Sequence, residues 1–190
     1  VDKLDHASIL DGCQMSQGET VRFRHNDTED LDQELEHLSG KKGGTLIAVD
    51  GVFSMDGDIA PLPALIAVAK KHGARLFVDE AHSLGVIGPS DAGAVDHFGA
   101  QKDVDLIMGT FSKSFASIGG FVAAEKDVIH SLKHHARSLR FSAAMPPYAV
   151  AIVHAALQII RDEPERRTNL IRNADYLRSG LQSLGFDTAT

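Results

Sequence analysis

Along the 190-residue chain, short apolar runs alternate with stretches whose apolar residues recur at helical spacing. Thr20 to Arg24 (TVRFR) reads as a strand, and Asp27 is placed to cap a helix that carries Leu31, Leu35 and Leu38 on one face. Residues 45–53 (TLIAVDGVF) form a nearly unbroken apolar run, as expected of a strand buried on both sides of a parallel sheet. Pro61 opens a helix that gathers Leu62, Leu65, Ile66 and Ala69 on one side and ends before Gly73. Strands follow at 75–81 (RLFVDEA), 105–111 (DLIMGTF) and 120–125 (GFVAAE). Only SKSFASIG separates the last two, with no room for a crossover helix, so they are expected to pair antiparallel. Two long helices complete the pattern, Tyr148 to about Arg161 and Pro164 to about Leu184. Leu170, Leu177, Leu181 and Leu184 make a stripe on the second, which predicts packing against the body of the protein.

This β/α alternation predicts an α/β fold, a mainly parallel sheet with helices on both faces. In such sheets chemistry sits at the carboxyl ends of the strands. That rule selects Asp79, Glu80 and His82 after one strand, Ser54 and Asp56 after another, and Thr110, Ser112 and Lys113 after a third.

Charge narrows the partners. Nineteen Lys and Arg against 26 Asp and Glu give a net charge of −7, which argues against a nucleic-acid motor. The sequence has no apolar run long enough to cross a bilayer and no secretory-signal layout at its start, so a cytoplasmic protein without a transmembrane segment is expected. Cys13 is the single cysteine and reads as a small buried hydrophobe, with no internal disulfide possible.

Asp79-Glu80-Ala81-His82 spells the tetrapeptide of a family of ATPases. A P-loop enzyme needs GxxxxGK[ST], and Gly109 to Ser114 (GTFSKS) lacks the glycine before the lysine and lies after the acidic strand. The same stretch suits another chemistry. A lysine on a small-residue loop, combined with a strand-end aspartate, serves a cofactor that needs an amine at one end and a carboxylate at the other. Pyridoxal 5′-phosphate is such a cofactor: Lys113 can form its Schiff base while Asp79 keeps the pyridine nitrogen protonated. His82 and Ser54 can reach the ring oxygen, and Thr110 and Ser112 are the hydroxyls nearest the lysine for the 5′-phosphate.

Six ordered motifs then carry a family resemblance: HASILDG, FRHND, DGVFSMDGDIAPLP, VDEAHSLGVIG, GTFSKSFASIGGF and RFSAAMPP. Together they cover essentially the whole chain, which resembles the α-oxoamine synthases. The resemblance implies the fold-type-I, aspartate-aminotransferase-like large domain and a reaction that condenses an amino acid with an acyl-CoA thioester and releases CO₂. DEAHS and GTFSKS…IGGF look most like the serine palmitoyltransferase branch, implying L-serine and a long-chain acyl-CoA. The branches making 8-amino-7-oxononanoate or 2-amino-3-oxobutyrate are the alternative.

By the same resemblance Lys113, Asp79, His82, Ser54 and Thr110 take the cofactor roles above, and His6 stacks on the ring and orients the substrate carboxylate. Ser142 matches a segment reaching the phosphate of a neighbouring subunit, implying a homodimer with shared sites. Ala144 stands where relatives carry Ser, and Ala92-Gly93-Ala94 where they often carry Gly-Arg-Gly.

Residues 1–145 are expected to be part of the cofactor-binding large domain, and 146–190 helices leading into a truncated C-terminal domain. The start without Met and the final GFDTAT, with Phe186 opening a strand, read as an internal piece of a longer protein, inactive by itself. Glu80 is as well suited to structural hydrogen bonding as to catalysis. Lys133, His134, His135 and Arg137 read as a solvated helix face, and Asp56 and Asp58 as turn residues without the other ligands of a calcium loop.

Overall fold

The computed structural model describes residues 1–188. Its elements run α1 (Ala7–Met15), α2 (Thr28–His37), β1 (Leu46–Asp50), α3 (Leu62–His72), β2 (Arg75–Asp79), α4 (Ala94–His97), β3 (Leu106–Thr110), β4 (Gly120–Ala124), α5 (Lys126–His135), α6 (Arg137–Arg140), α7 (Pro147–Asp162) and α8 (Glu165–Ser183). The four strands form one sheet in the order β1-β2-β3-β4. β1, β2 and β3 are parallel, with Asp50 level with Asp79 and Asp79 level with Met108. β4 runs antiparallel to β3, as the short loop between them requires.

Local chemistry accounts for the helix ends. Asp27 accepts the Asp30 amide at 2.9 Å at the start of α2, and Gly73 closes α3 in the left-handed conformation at φ 63°. The core lies where α2 and α3 meet β1 and β2. Leu31, Leu35, Ile47, Val49, Leu62, Leu65, Leu76 and Val78 are buried there, each side chain contributing roughly 1.5–3 kcal/mol.

Five expectations need correction. Thr20 to Arg24 is not a strand among the described residues: Phe23 alone pairs, in a parallel bridge with Asp2. The run at 45–53 leaves the sheet after Asp50, because Gly57, at φ 77°, turns the chain back so that Val52 bridges Ile59 antiparallel. Cys13 is only half-buried, on a helix that buries no side chain. The α8 stripe is not packed: no α8 residue is buried, and Leu170 and Leu177 are 50% and 62% exposed. Polar contacts hold that helix near its start, where Arg167 donates to the Gly88 carbonyl at 2.6 Å and pairs with Asp91. Residues 186–188 carry no strand, and Phe186 is exposed.

Candidate active site

The parallel register brings the carboxyl ends of β1, β2 and β3 to one rim. Asp79 is the last residue of β2 and is buried. Its Oδ1 accepts the Ala81 amide at 2.8 Å, which turns the chain into the His82 segment, while Oδ2 makes no hydrogen bond among the described residues. Lys113 follows β3 on an exposed loop and has no ion pair among the described residues. That loop is closed by Phe111 N–H to Gly119 O (2.9 Å) and Ser117 N–H to Phe111 O (2.8 Å). Ser114 ties it to the turn after β2 by donating to the Leu84 carbonyl at 2.7 Å. Thr110 and Ser112 flank the lysine with their hydroxyls 2.8 Å apart.

His6 reaches the rim from far away in sequence. It caps α1, its Nδ1 2.8 Å from the Ser8 hydroxyl, and its backbone N–H donates to Asp50 Oδ2 at 2.8 Å. Asp50 ends β1 beside Asp79.

The charges act on one another. Burial, and then the Lys113 charge, push the His82 pKa down, so its imidazole is neutral at pH 7 although Asp79 pulls the other way. Burial raises Asp50 to about 6, with Asp79 adding to the rise and His6 and Lys113 opposing it. His6, Asp50, Asp79, His82 and Lys113 are therefore one electrostatic group. Ser54 is exposed on the turn after β1, and Ser142 is exposed after α6, its hydroxyl 3.4 Å from the Leu139 carbonyl. Among the described residues no hydrogen bond joins either to that group.

Glu80 faces inward. Fully buried, it accepts the Ala94 and Val95 amides at 2.8 Å each and the Ser83 hydroxyl, capping α4. This is a structural role, and it bears on Gly93, although nothing in the structure explains the Ala92-Gly93-Ala94 departure. At φ 107° Gly93 lies against the Glu80 carboxylate, where a Cβ has no room. Lys133, His134, His135 and Arg137 are exposed, as expected of a solvated face. Asp58 lies in a turn, with Phe53 N–H donating to its carbonyl at 3.0 Å.

Three acids escaped the sequence reading. Asp50 ends β1, but the apolar run at 45–53 carried the expected strand past it. Asp5 is buried and accepts the Asp2 and Asp50 amides at 2.8 and 2.9 Å. Buried Asp2 meets His25 Nδ1 at 2.9 Å, while His25 Nε2 lies 2.8 Å from Asp58. Nothing in local periodicity announces these long-range pairs.

The donor set fits pyridoxal phosphate: an unpaired amine, a buried carboxylate with one unbonded oxygen, a neutral imidazole and two hydroxyls beside the lysine. An aminotransferase-like α/β fold with these groups on its strand-end rim defines a class, and the aminotransferase class I and II family matches residues 1–190. The chain belongs to that family. Within it the similarity is to the α-oxoamine synthases. A serine palmitoyltransferase from Sphingobacterium spiritivorum is 50% identical over 187 residues, 98% of this chain and 47% of that protein. A putative 8-amino-7-oxononanoate synthase from Halalkalibacterium halodurans is 50% identical over 185 residues, 97% of this chain and 46% of that protein. The solved serine palmitoyltransferase of Sphingomonas wittichii superposes with a TM-score of 0.93 at 41% identity, over 98% of this chain and 46% of that one. A serine palmitoyltransferase structure with pyridoxal phosphate superposes equally, with a TM-score of 0.93 at 44% identity, over 98% of this chain and 46% of that one. The chain thus spans about half the length of the relatives it matches. No helix among the described residues is long and apolar enough to cross a membrane.

Proposed function

We propose that this chain is the cofactor-binding part of a pyridoxal-phosphate acyltransferase that condenses an amino acid, L-serine, with a long-chain acyl-CoA, the first step of sphingolipid synthesis. The observation that carries the proposal is Lys113, free on its closed loop, in one electrostatic group with buried Asp79 and neutral His82. The bound cofactor supplies an electron sink for the charge left when a bond at the amino-acid α-carbon breaks. Asp79 holds the ring nitrogen protonated, and each pKa unit by which it does so corresponds to about 1.4 kcal/mol. Neutral His82 would donate its N–H, and Ser54 its O–H, to the ring oxygen. Thr110 and Ser112 bind the phosphate. Lys113 would hold the cofactor through its amine and would serve as the base for the α-proton. His6 covers the ring face and orients the substrate carboxylate.

The proposal extends to a homodimer in which Ser142 reaches the partner's phosphate, to a cytoplasmic location, and to a domain division after residue 145. The decisive test is absorption spectroscopy of the full-length protein. A visible cofactor band that vanishes in Lys113→Ala is expected, and a band unchanged by that substitution refutes the assignment. Incubation with serine, glycine or alanine and a panel of acyl-CoAs separates the serine-using reading from 8-amino-7-oxononanoate or 2-amino-3-oxobutyrate synthesis. ATP turnover without bound pyridoxal would instead favour a DEAH-type motor.

A further inference from the structure

Asp50 is buried at the rim, yet none of the cofactor roles proposed above uses it. It ends β1 level with Asp79. Its Oδ2 accepts the His6 N–H at 2.8 Å, and its own N–H donates to Asp5 Oδ1 at 2.9 Å. Asp5 in turn accepts the Asp2 N–H through Oδ2 at 2.8 Å. These polar links join the sheet edge to the start of α1.

They matter because apolar contact does little to hold that start. α1 buries none of its nine residues, so the location of His6 is not set by packing of the helix it caps. Its backbone, at φ −54° and ψ 143°, is outside the helix, and the Asp50 carboxyl is the hydrogen-bond acceptor of its N–H. Removing that acceptor leaves a donor without its partner and a lightly anchored turn free to shift. The Asp50 charge is also coupled to Asp79, His6 and Lys113, which places its carboxyl inside the working group and not behind it.

We infer that Asp50 is a positioning residue: by accepting the His6 N–H, its carboxyl fixes the His6 ring over the rim formed by Asp79 and Lys113, and so sets how firmly an aromatic cofactor ring is held there. The inference rests on the proposed cofactor site, and its test separates the two.

Apo protein in its full-length form is titrated with pyridoxal phosphate, following the visible band and its induced circular dichroism. Asp50→Ala is expected to weaken binding at least tenfold and to diminish the induced signal. Asp50→Asn, which keeps an oxygen acceptor, stays within threefold of the parent. His6→Ala weakens binding to a similar degree, and His6→Ala combined with Asp50→Ala is no weaker than either alone, since the two act as one unit. A merely structural aspartate would give additive losses, about a hundredfold in the double variant. Binding by Asp50→Ala within threefold of the parent, a tenfold loss in Asp50→Asn, or additivity in the double variant each overturns the inference. If Asp50→Ala does not fold, the Asp50→Asn result still decides it.

Hydrogen exchange of the His6 amide in the apo protein gives a readout that needs no cofactor. Exchange at least tenfold faster in Asp50→Ala and unchanged in Asp50→Asn is expected, and equal rates in all three proteins refute the tether. A parent without a Lys113-dependent band removes the proposed function while leaving this exchange result to stand or fall alone.

Discussion

Adding one methyl group at Gly93 measures how firmly Glu80 is held. Gly93 has φ 107° and ψ −163°, a region essentially reserved for glycine, and forcing alanine into it costs about 1–3 kcal/mol. The new Cβ would also lie 2.5 Å from Glu80 Cδ and 2.9 Å from Oε1, so the carboxylate must move. Movement loosens its bonds to the Ala94 and Val95 amides, hydrogen bonds to a charged group worth about 1.5–3 kcal/mol each. With partial relaxation, Gly93→Ala should lose about 3–5 kcal/mol. Gly73→Ala is the control: its φ of 63° is also positive, but nothing lies within 4 Å of an added Cβ. Its cost should be about 1–2 kcal/mol. Urea unfolding followed by circular dichroism gives both values by linear extrapolation. If the two variants differ by less than 1 kcal/mol, the Glu80 contact does not have the stiffness argued for it.

Two further expectations concern pH. Burial would lower the His25 pKa, but hydrogen bonds to Asp2 and Asp58 outweigh it and leave it raised. Its contribution is therefore complete below the unfolded value and is lost as pH rises through the folded one. Adding the edge contact to Phe53 at 4.5 Å, His25→Ala should cost about 2–3 kcal/mol at low pH, with the gap to the parent narrowing as pH rises. Unfolding at a series of pH values checks this, and a gap that widens with pH refutes it. Burial raises Asp5 to about 7. The folded state thus holds that proton more tightly, and stability falls as pH rises from the unfolded carboxyl value through about 7, by at most about 4 kcal/mol. Asp5→Asn should fall less between pH 5 and 8 than the parent, and an equal or steeper fall counts against the assignment.

Sequence alone gave access to whatever is settled locally. Asp27 and Gly73 mark helix ends through hydrogen bonds and dihedral preferences of a few neighbouring residues, and β4 had to turn back because eight residues cannot make a crossover. The proposed cofactor pair, Asp79 and Lys113, was visible because each lies at or just past the end of an apolar strand. Periodicity names a face without naming what it meets, so the α8 leucines were given a neighbour that the described residues do not supply. Phe23 has strand-like neighbours, but pairing requires a partner ladder, and Asp2 offers a single bridge. Asp50 and Asp5 depend on segments more than forty residues apart meeting at one rim, which no local pattern encodes.

The arrangement of the strands also orders the assembly of the fold. β3 and β4 are joined by residues 111–119, whereas the parallel pairs must close residues 51–74 and 80–105. By loop-closure entropy the shorter connection costs about 1 kcal/mol less, before any helix within the longer ones has formed. Local antiparallel pairs also form faster than pairs distant along the chain. The lysine loop is thus built into the earliest and most self-contained part of the sheet. Asp79 reaches it only through the longer-range parallel pairing between β2 and β3, so binding of the proposed cofactor reports on that pairing and not on the hairpin alone.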